Sequence, residues 1–299
     1  MDWLLLQPTS IEQIARTLFT GVLACYLLSV RGKSRAAWWL AAAFVVLTVN
    51  GMADFMEETV YPSWRIYFFS VQFVAILLVV LALTMFAYEF LENPFPLESK
   101  IVLWLNAVCI LGYSGFMVYH LLAYGMSMDL MLFVFGMEII GGLFILWFLL
   151  VLLRKTVRLS ESANPSTRPS KEPGSSLKAR LAGVLTKLVK PQGRSASAHR
   201  AFALLFVFLL VNIAANFLED QGFIAEKLGA YLKFTGMLIF FIGFVVVYIN
   251  HAPEPTTLPV KLIGFMLMVV LAVLGVLVHE TEMAADERCL LYTSDAADE

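Results

Sequence analysis

Two short stretches of the sequence place carboxylates and amides at helical spacing, each at the end of an apolar run. They are VNGMADFMEE (49–58) and VNIAANFLED (211–220), which resemble each other position by position. In both stretches the polar residues follow the spacing i, i+4, i+7, which puts three side chains on one helix face. Such groups can bind a cation or hydrogen-bond a small solute, so we predict a polar pocket built from both faces. Its predicted ligand-binding residues are Asn50, Asp54, Glu57, Asn212, Asn216 and Glu219.

The same residues have a simpler interpretation. The acidic side chains can mark the wet ends of membrane helices, and the asparagines can hydrogen-bond one helix to another. Glu138, in FGMEIIGGLF, is a further candidate ligand-binding residue because it lies about ten residues into an apolar run. A carboxylate at that depth needs a partner or stays protonated. A proton or ion relay, a ligand contact and a structural hydrogen bond all remain open for it.

Two histidines, His120 and His279, come near the ends of two other apolar runs. Paired histidines can ligate haem or a metal. They are weak metal candidates, because no further ligand accompanies them. The sequence also has no P-loop, no HExxH and no GxSxG motif, so we expect no catalytic residue and no cofactor in this chain.

Composition identifies the class of protein that must position these residues. The chain of 299 residues is 60% hydrophobic and 15% charged, whereas soluble domains are about half apolar and a quarter charged. About eight runs approach the ~20 residues that cross a bilayer as a helix. The sequence predicts an all-α, polytopic bundle with spans at 9–30, 36–57, 64–91, 100–123, 129–153, 201–221, 229–250 and 260–279.

Charged residues alternate between the predicted loops and indicate an orientation. Basic residues concentrate at 31–35, 92–100, 154–200 and 251–261, and acidic residues occupy the alternate loops. By the positive-inside bias, the basic loops are cytoplasmic and the N-terminus is outside. We therefore expect a multi-pass protein of the bacterial inner membrane, with no nucleic-acid partner.

The pattern of runs and turns repeats along the chain. Each of the two stretches above is followed by a helix, a Pro-x-Pro turn with a lysine, and another helix; the turns are ENPFPLESK (92–100) and HAPEPTTLPVK (251–261). This indicates two tandem, parallel four-helix units, 1–125 and 126–280, followed by a tail at 281–299. Chance similarity between apolar segments is the alternative.

The 154–200 loop differs in composition from the rest of the chain. A Ser- and Pro-rich linker precedes LKARLAGVLTKLVK (177–190), where leucines and a valine recur at helical spacing. We predict a basic amphipathic helix on the membrane surface, either as a plain anchor or as a lipid-sensing or partner-binding element. Its membrane-contacting cations are Lys178, Arg180, Lys187 and Lys190.

The last residues, CLLYTSDAADE (289–299), are similar to the translated read-through of a sequencing adaptor. We therefore expect 289–299 to be an artefact, with native sequence interrupted near Arg288.

Three segments, YLLSVRGKSRAAWWLAAAF (26–44), FAYEFLENPFPLESKIVLWL (86–105) and INHAPEPTTLPVKLIGF (249–265), carry a resemblance to a known class. They resemble the membrane-embedded N-terminal sensory regions, of seven or eight helices, of certain bacterial signalling receptors. Such receptors end in an output domain, commonly a histidine kinase or an adenylate or guanylate cyclase. The resemblance implies a sensory module for an unknown small ligand, a missing output domain, and the option of a homodimer formed through it.

A transporter or permease for a small solute or ion is the alternative function. Internal repeats, a mid-membrane acid and helix-borne asparagines are features of solute pathways. A structural scaffold that docks partners on the 154–200 loop is a third, weaker option.

Overall fold

The computed structural model describes residues 8–30, 32–59, 62–124, 128–163, 177–220, 222–223 and separate positions from 232 to 251. Some helical residues are described by their backbone only. They are 8–12, 15, 16, 58, 62, 63, 128–140, 177–181, 209, 212, 213, 216, 217, 219 and 220.

The regular structure in these ranges is helical throughout, which confirms the predicted all-α class. The helices are α1 (Pro8–Ser29), α2 (Arg35–Thr59), α3 (Pro62–Glu89), α4 (Pro96–Tyr124), α5 (Met128–Ala163), α6 (Leu177–Val189) and α7 (Arg194–Asp220). Separate helical positions follow between 232 and 251, here called the 232–251 segment.

Local sequence explains where the helices begin and end. Proline is the first residue of α3 and α4, a position where its missing N–H costs nothing and its fixed φ suits the helix. The Ser34 hydroxyl accepts a hydrogen bond from the Ala37 N–H at 3.1 Å and caps α2. Beyond the end of α3, Leu91 has a φ of 59°, a left-handed conformation that is uncommon for a residue other than glycine.

Three described helical segments are long and apolar enough to cross a bilayer. They are Arg35–Glu57, Trp64–Glu89 and Pro96–Tyr124, and Thr17–Ser29 is a shorter apolar segment of α1. The chain is therefore a membrane protein. The count of eight spans stays a prediction: the fifth and sixth fall within α5 and α7, the seventh is described only at separate positions, and 260–279 lies outside the described residues.

One hydrophobic core joins helices from both predicted four-helix units. Phe86 of α3 packs edge-on against Phe202 of α7, with ring centroids 5.6 Å apart, and Phe202 lies 5.0 Å from Phe244 of the 232–251 segment. The tilted rings of Phe148 in α5 and Phe206 in α7 have their centroids 4.0 Å apart. Such offset and edge-on ring pairs add to the energy of simple packing. The tandem duplication itself stays a prediction.

The α1–α2 pair depends on one close backbone approach. A Cβ added at Gly51 of α2 would overlap the Thr17 hydroxyl of α1 and lie 3.6 Å from the Thr17 Cα. That hydroxyl donates a 2.7 Å hydrogen bond to the Gln13 carbonyl, so rotating it away breaks the bond. Only glycine at position 51 allows the two helices to come this close.

We expect Gly51→Ala to lower the free energy of unfolding by about 1–3 kcal/mol, because the added methyl group overpacks the contact with Thr17. The measurement is thermal or chemical denaturation of the purified protein in detergent micelles. Gly112→Ala in α4 is the matched control, since nothing lies within 4 Å of its added Cβ. The control should be neutral or up to about 1 kcal/mol more stable. Equal effects of the two substitutions would contradict the close approach.

Candidate functional site

An acidic cluster lies at one end of the α2–α3 pair. The Gln72 amide nitrogen of α3 donates to the Asp54 carboxylate at 3.2 Å and to the Glu57 carboxylate at 2.7 Å. The two acids lie three residues apart on α2 and share its α3-facing side, as their spacing predicts. All three side chains are half-buried. Two carboxylates around one amide form a negatively charged rim that attracts cations and hydrogen-bond donors.

A cavity of about 300 Å³ lies one helical turn below this rim, where Asn50 of α2 forms part of its wall. Thr20 of α1 and Thr84 of α3 also contribute, and both are almost fully buried. The remaining wall is apolar and aromatic. The volume falls at the lower end of the range typical of small-molecule sites, which are mostly apolar with a few placed polar groups.

The Asn50 side-chain oxygen is the distinctive polar atom of this cavity. It is buried and accepts no hydrogen bond. The Thr84 hydroxyl, in contrast, already donates to the Val80 carbonyl at 2.8 Å. A buried acceptor without a donor costs about 1–3 kcal/mol. A bound molecule that donates one hydrogen bond and is otherwise apolar would remove that cost.

Both predicted units contribute to the cavity wall. Leu47 and Leu83 come from α2 and α3, whereas Phe148, Phe206 and Phe240 come from α5, α7 and the 232–251 segment. A molecule bound here would therefore contact both parts of the bundle at once.

The opposite end of the bundle is organised by a fully buried lysine. The Lys155 amine of α5 donates to the backbone carbonyls of Ala87, Tyr88 and Phe90 at 2.9, 3.1 and 2.9 Å. The last carbonyls of a helix have no partner within the helix, and the helix dipole makes that end negative. We call this arrangement the lysine cap of α3. Burial lowers the pKa of the Lys155 amine to about 7, against the opposing effect of Glu89 and Glu92.

His199 of α7 joins the same backbone segment. Its Nε2 lies 3.2 Å from the Phe90 carbonyl and its Nδ1 lies 2.7 Å from the Ser195 carbonyl. Burial lowers the pKa of this imidazole to about 3, and the charge of Lys155 adds to the effect. His199 is therefore neutral at physiological pH and can donate to only one of the two carbonyls at a time.

A more exposed network surrounds the lysine cap. Arg154 forms a bidentate pair with Glu98 of α4 at 2.9 and 3.1 Å, and Glu98 also accepts from the Tyr88 hydroxyl at 2.7 Å. Arg154 and Arg158 both lie over the Phe95 ring, at 4.5 and 4.9 Å from its centroid. Three cations of α5, Arg154, Lys155 and Arg158, thus contact the end of α3 or the turn that follows it.

The predicted site is only partly visible in the described residues. Asp54 and Glu57 come together in the acidic cluster, and Asn50 lines the cavity below it. Five further predicted positions have side chains outside the described residues or lie wholly outside them. They are Glu138, Asn212, Asn216, Glu219 and His279. The joint pocket of both faces therefore stays a prediction.

The other predicted groups have mixed surroundings. His120 is half-buried beside the Tyr124 ring, at 5.0 Å between centroids, and its Nδ1 has no hydrogen-bond partner. Among the described residues, no three His, Cys, Asp or Glu side chains cluster closely enough to hold a metal ion.

The predicted amphipathic helix is present as α6. Leu185 and Val189 are exposed on it, and Lys187 pairs with Glu161 of α5 at 2.6 Å. Lys190 is exposed, whereas the side chains of Lys178 and Arg180 lie outside the description.

Several residues that organise the site were missed by sequence reasoning. Gln72 is a single polar residue inside an apolar run, and that signal could have marked it as inward-facing. Lys155 and His199 lie at the borders of the predicted 154–200 loop, where the sequence pattern counts Lys155 among the basic loop residues and gives no signal for His199. No local pattern indicates that Lys155 would be fully buried.

Comparison with protein-family models, with curated proteins and with solved structures finds no match to this chain.

We expect Lys155→Met to lower the free energy of unfolding by about 3–5 kcal/mol, because it leaves three buried carbonyls without a hydrogen-bond donor, at about 1–3 kcal/mol for each. Denaturation in detergent micelles measures the change. Arg154→Met is the matched control from the adjacent position, where the side chain is 41% exposed. Its loss should cost no more than about 1 kcal/mol. A similar cost for both substitutions would show that the lysine cap does not stabilise the bundle.

Proposed function

We propose that this chain is the membrane-embedded sensory module of a bacterial signal-transduction receptor, and that it binds a small ligand in the cavity beside Asn50. The observation that carries the proposal is the cavity itself, which is bounded by both predicted units and has one buried acceptor without a donor. The acidic cluster above it gives the site a negatively charged rim.

The route from ligand to output follows α3. Thr84 lines the cavity, and the Ala87 carbonyl, three residues further along, is bound by Lys155. Three residues of helix span about 4.5 Å, so a shift of α3 around the ligand acts directly on the lysine cap. A ligand shifts the equilibrium only if it binds two arrangements with different affinity. We propose that these arrangements differ in how α3 packs against α5.

The resemblance to bacterial sensory regions supports the same function. One of its three segments, 86–105, contains the three carbonyls that Lys155 binds and the turn to α4. We propose further that the chain lies in the bacterial inner membrane as a multi-pass protein with its N-terminus outside. A kinase or cyclase output domain, joined to this module, would act as a homodimer. No catalytic role is proposed for the module itself.

A transporter of a small solute or ion is the second candidate. The observation that favours it is an internal cavity between helices of a membrane protein, with an acidic cluster one turn above it. In that case Glu138 would take part in the solute pathway.

The cavity should bind phenol more tightly than toluene, because only phenol donates a hydrogen bond to the Asn50 oxygen. One such bond contributes about 1 kcal/mol, or roughly a fivefold difference in Kd. Ligand-dependent shifts in the melting temperature of the protein in nanodiscs measure both affinities. Asn50→Leu should abolish the preference for phenol while toluene still binds. If the wild type shows no preference between the two probes, the assignment of Asn50 as the ligand's acceptor is wrong.

The receptor and the transporter are separated by two measurements. The genomic DNA downstream of codon 288 should continue in frame into a histidine kinase or cyclase domain if the chain is a sensory module. A stop codon within a few residues would count against the receptor. Solute flux into proteoliposomes that is abolished by Glu138→Gln would establish the transporter instead.

A further inference from the structure

A second cavity, which shares only Phe144 with the wall of the cavity beside Asn50, lies along the contact between α4 and α5. Its volume is about 600 Å³. Leu97, Ile101 and Leu105 form one side, and Leu143 and Trp147 form the other. These side chains are 40–72% exposed, so the groove opens on the outside of the bundle rather than into its core. In a membrane, that outside is the lipid hydrocarbon.

The groove contains one buried polar atom without a partner. Asn106 is 2% exposed, and its amide nitrogen donates to the Val102 carbonyl at 2.8 Å. That bond fixes the orientation of the amide, because the carbonyl of Val102 can only accept. The Asn106 side-chain oxygen is therefore the atom left over, and it has no hydrogen-bond partner.

The depth of Asn106 limits what can satisfy this oxygen. It lies six residues after Lys100, where the predicted span 100–123 begins, which places it about 9 Å into a ~30 Å hydrocarbon core. Acyl chains have no donor, and the ester groups of lipids only accept. A buried water needs two to four polar partners, and the neighbouring lining supplies none besides Asn106. What fits is a hydroxyl group carried into the hydrocarbon region by an apolar chain.

The polar groups at the α3–α4 turn end of the groove are already occupied. The Trp147 indole donates to the Tyr88 hydroxyl at 3.2 Å, and Glu98 is bound by Tyr88 and Arg154. These groups already have partners at that end of the groove. The Asn106 oxygen is therefore the lining atom that would distinguish one ligand from another.

We propose that the α4–α5 groove binds a membrane-dissolved aliphatic alcohol, whose chain lies against Leu97, Ile101, Leu105 and Leu143 and whose hydroxyl donates to the Asn106 oxygen. This site does not depend on the proposed sensory function, because it shares neither Asn50 nor the acidic cluster. Its ligand enters from the bilayer and not from the aqueous side.

The experiment compares two photoreactive probes in nanodiscs made with a saturated phosphatidylcholine. The first is a twelve-carbon alcohol with a diazirine at its far end, and the second is its methyl ether, which accepts but cannot donate. Mass spectrometry of the irradiated protein locates and quantifies the label. The alcohol should label α4 and α5 residues along the groove about five times more than the ether does at equal concentration.

Three variants make the outcome specific. Asn106→Leu should reduce labelling by the alcohol to the level of the ether, and Leu143→Trp, which fills the groove, should reduce labelling by both probes. Asn50→Leu, in the other cavity, should change neither, so failure of the sensory proposal is distinguishable from failure here. Melting temperatures confirm that each variant is folded. Equal labelling of the wild type by both probes, or alcohol labelling unchanged in Asn106→Leu, would overturn the proposal.

Discussion

The contact between the Lys155 amine and the carbonyls of Ala87, Tyr88 and Phe90 connects α5 to the end of α3. A buried amine is costly unless its hydrogen-bonding capacity is satisfied, and here the Lys155 nitrogen lies within 3.1 Å of three carbonyl oxygens. The contact orients α5 against α3 and brings Arg154 and Arg158 onto the following turn. His199 brings α7 to the Phe90 carbonyl as well. Three helices therefore meet at one helix terminus.

The cavity and the lysine cap lie on the same two helices but differ in character. The lysine cap is polar, buried and fully hydrogen-bonded. The cavity is mostly apolar, and the Asn50 oxygen in its wall has no hydrogen-bond donor. A site that responds to a ligand is expected where a polar group still lacks a hydrogen-bond partner. A group whose hydrogen bonds are all made resists rearrangement. α3 joins the two, so it is the element through which occupancy of one would affect the other.

Sequence alone predicted the helices well and their contacts poorly. Apolar length and the Pro-x-Pro turn predict the bounds of α1 to α4 within four residues of those observed. The predicted 154–200 loop is too long, because α5 continues to Ala163 and α7 begins at Arg194, where polar residues extend both helices beyond their apolar runs. The shared face of Asp54 and Glu57 followed from helical period. The contacts of Lys155 and His199 could not be predicted, because each acts on a backbone segment distant in sequence. Asn106 was also missed, since a single amide in an apolar run does not show whether its oxygen will find a donor.

The conformation of Leu91 determines how the end of α3 can move. Glycine would adopt a φ of 59° without strain, yet this position carries a leucine whose side chain packs against the main hydrophobic core. The packed side chain and the Phe90 carbonyl contacts hold the backbone in a conformation it would otherwise avoid. Packing and hydrogen bonds therefore fix the junction of α3 and α4 on both sides of Leu91, and a displacement of the end of α3 would carry the start of α4 with it.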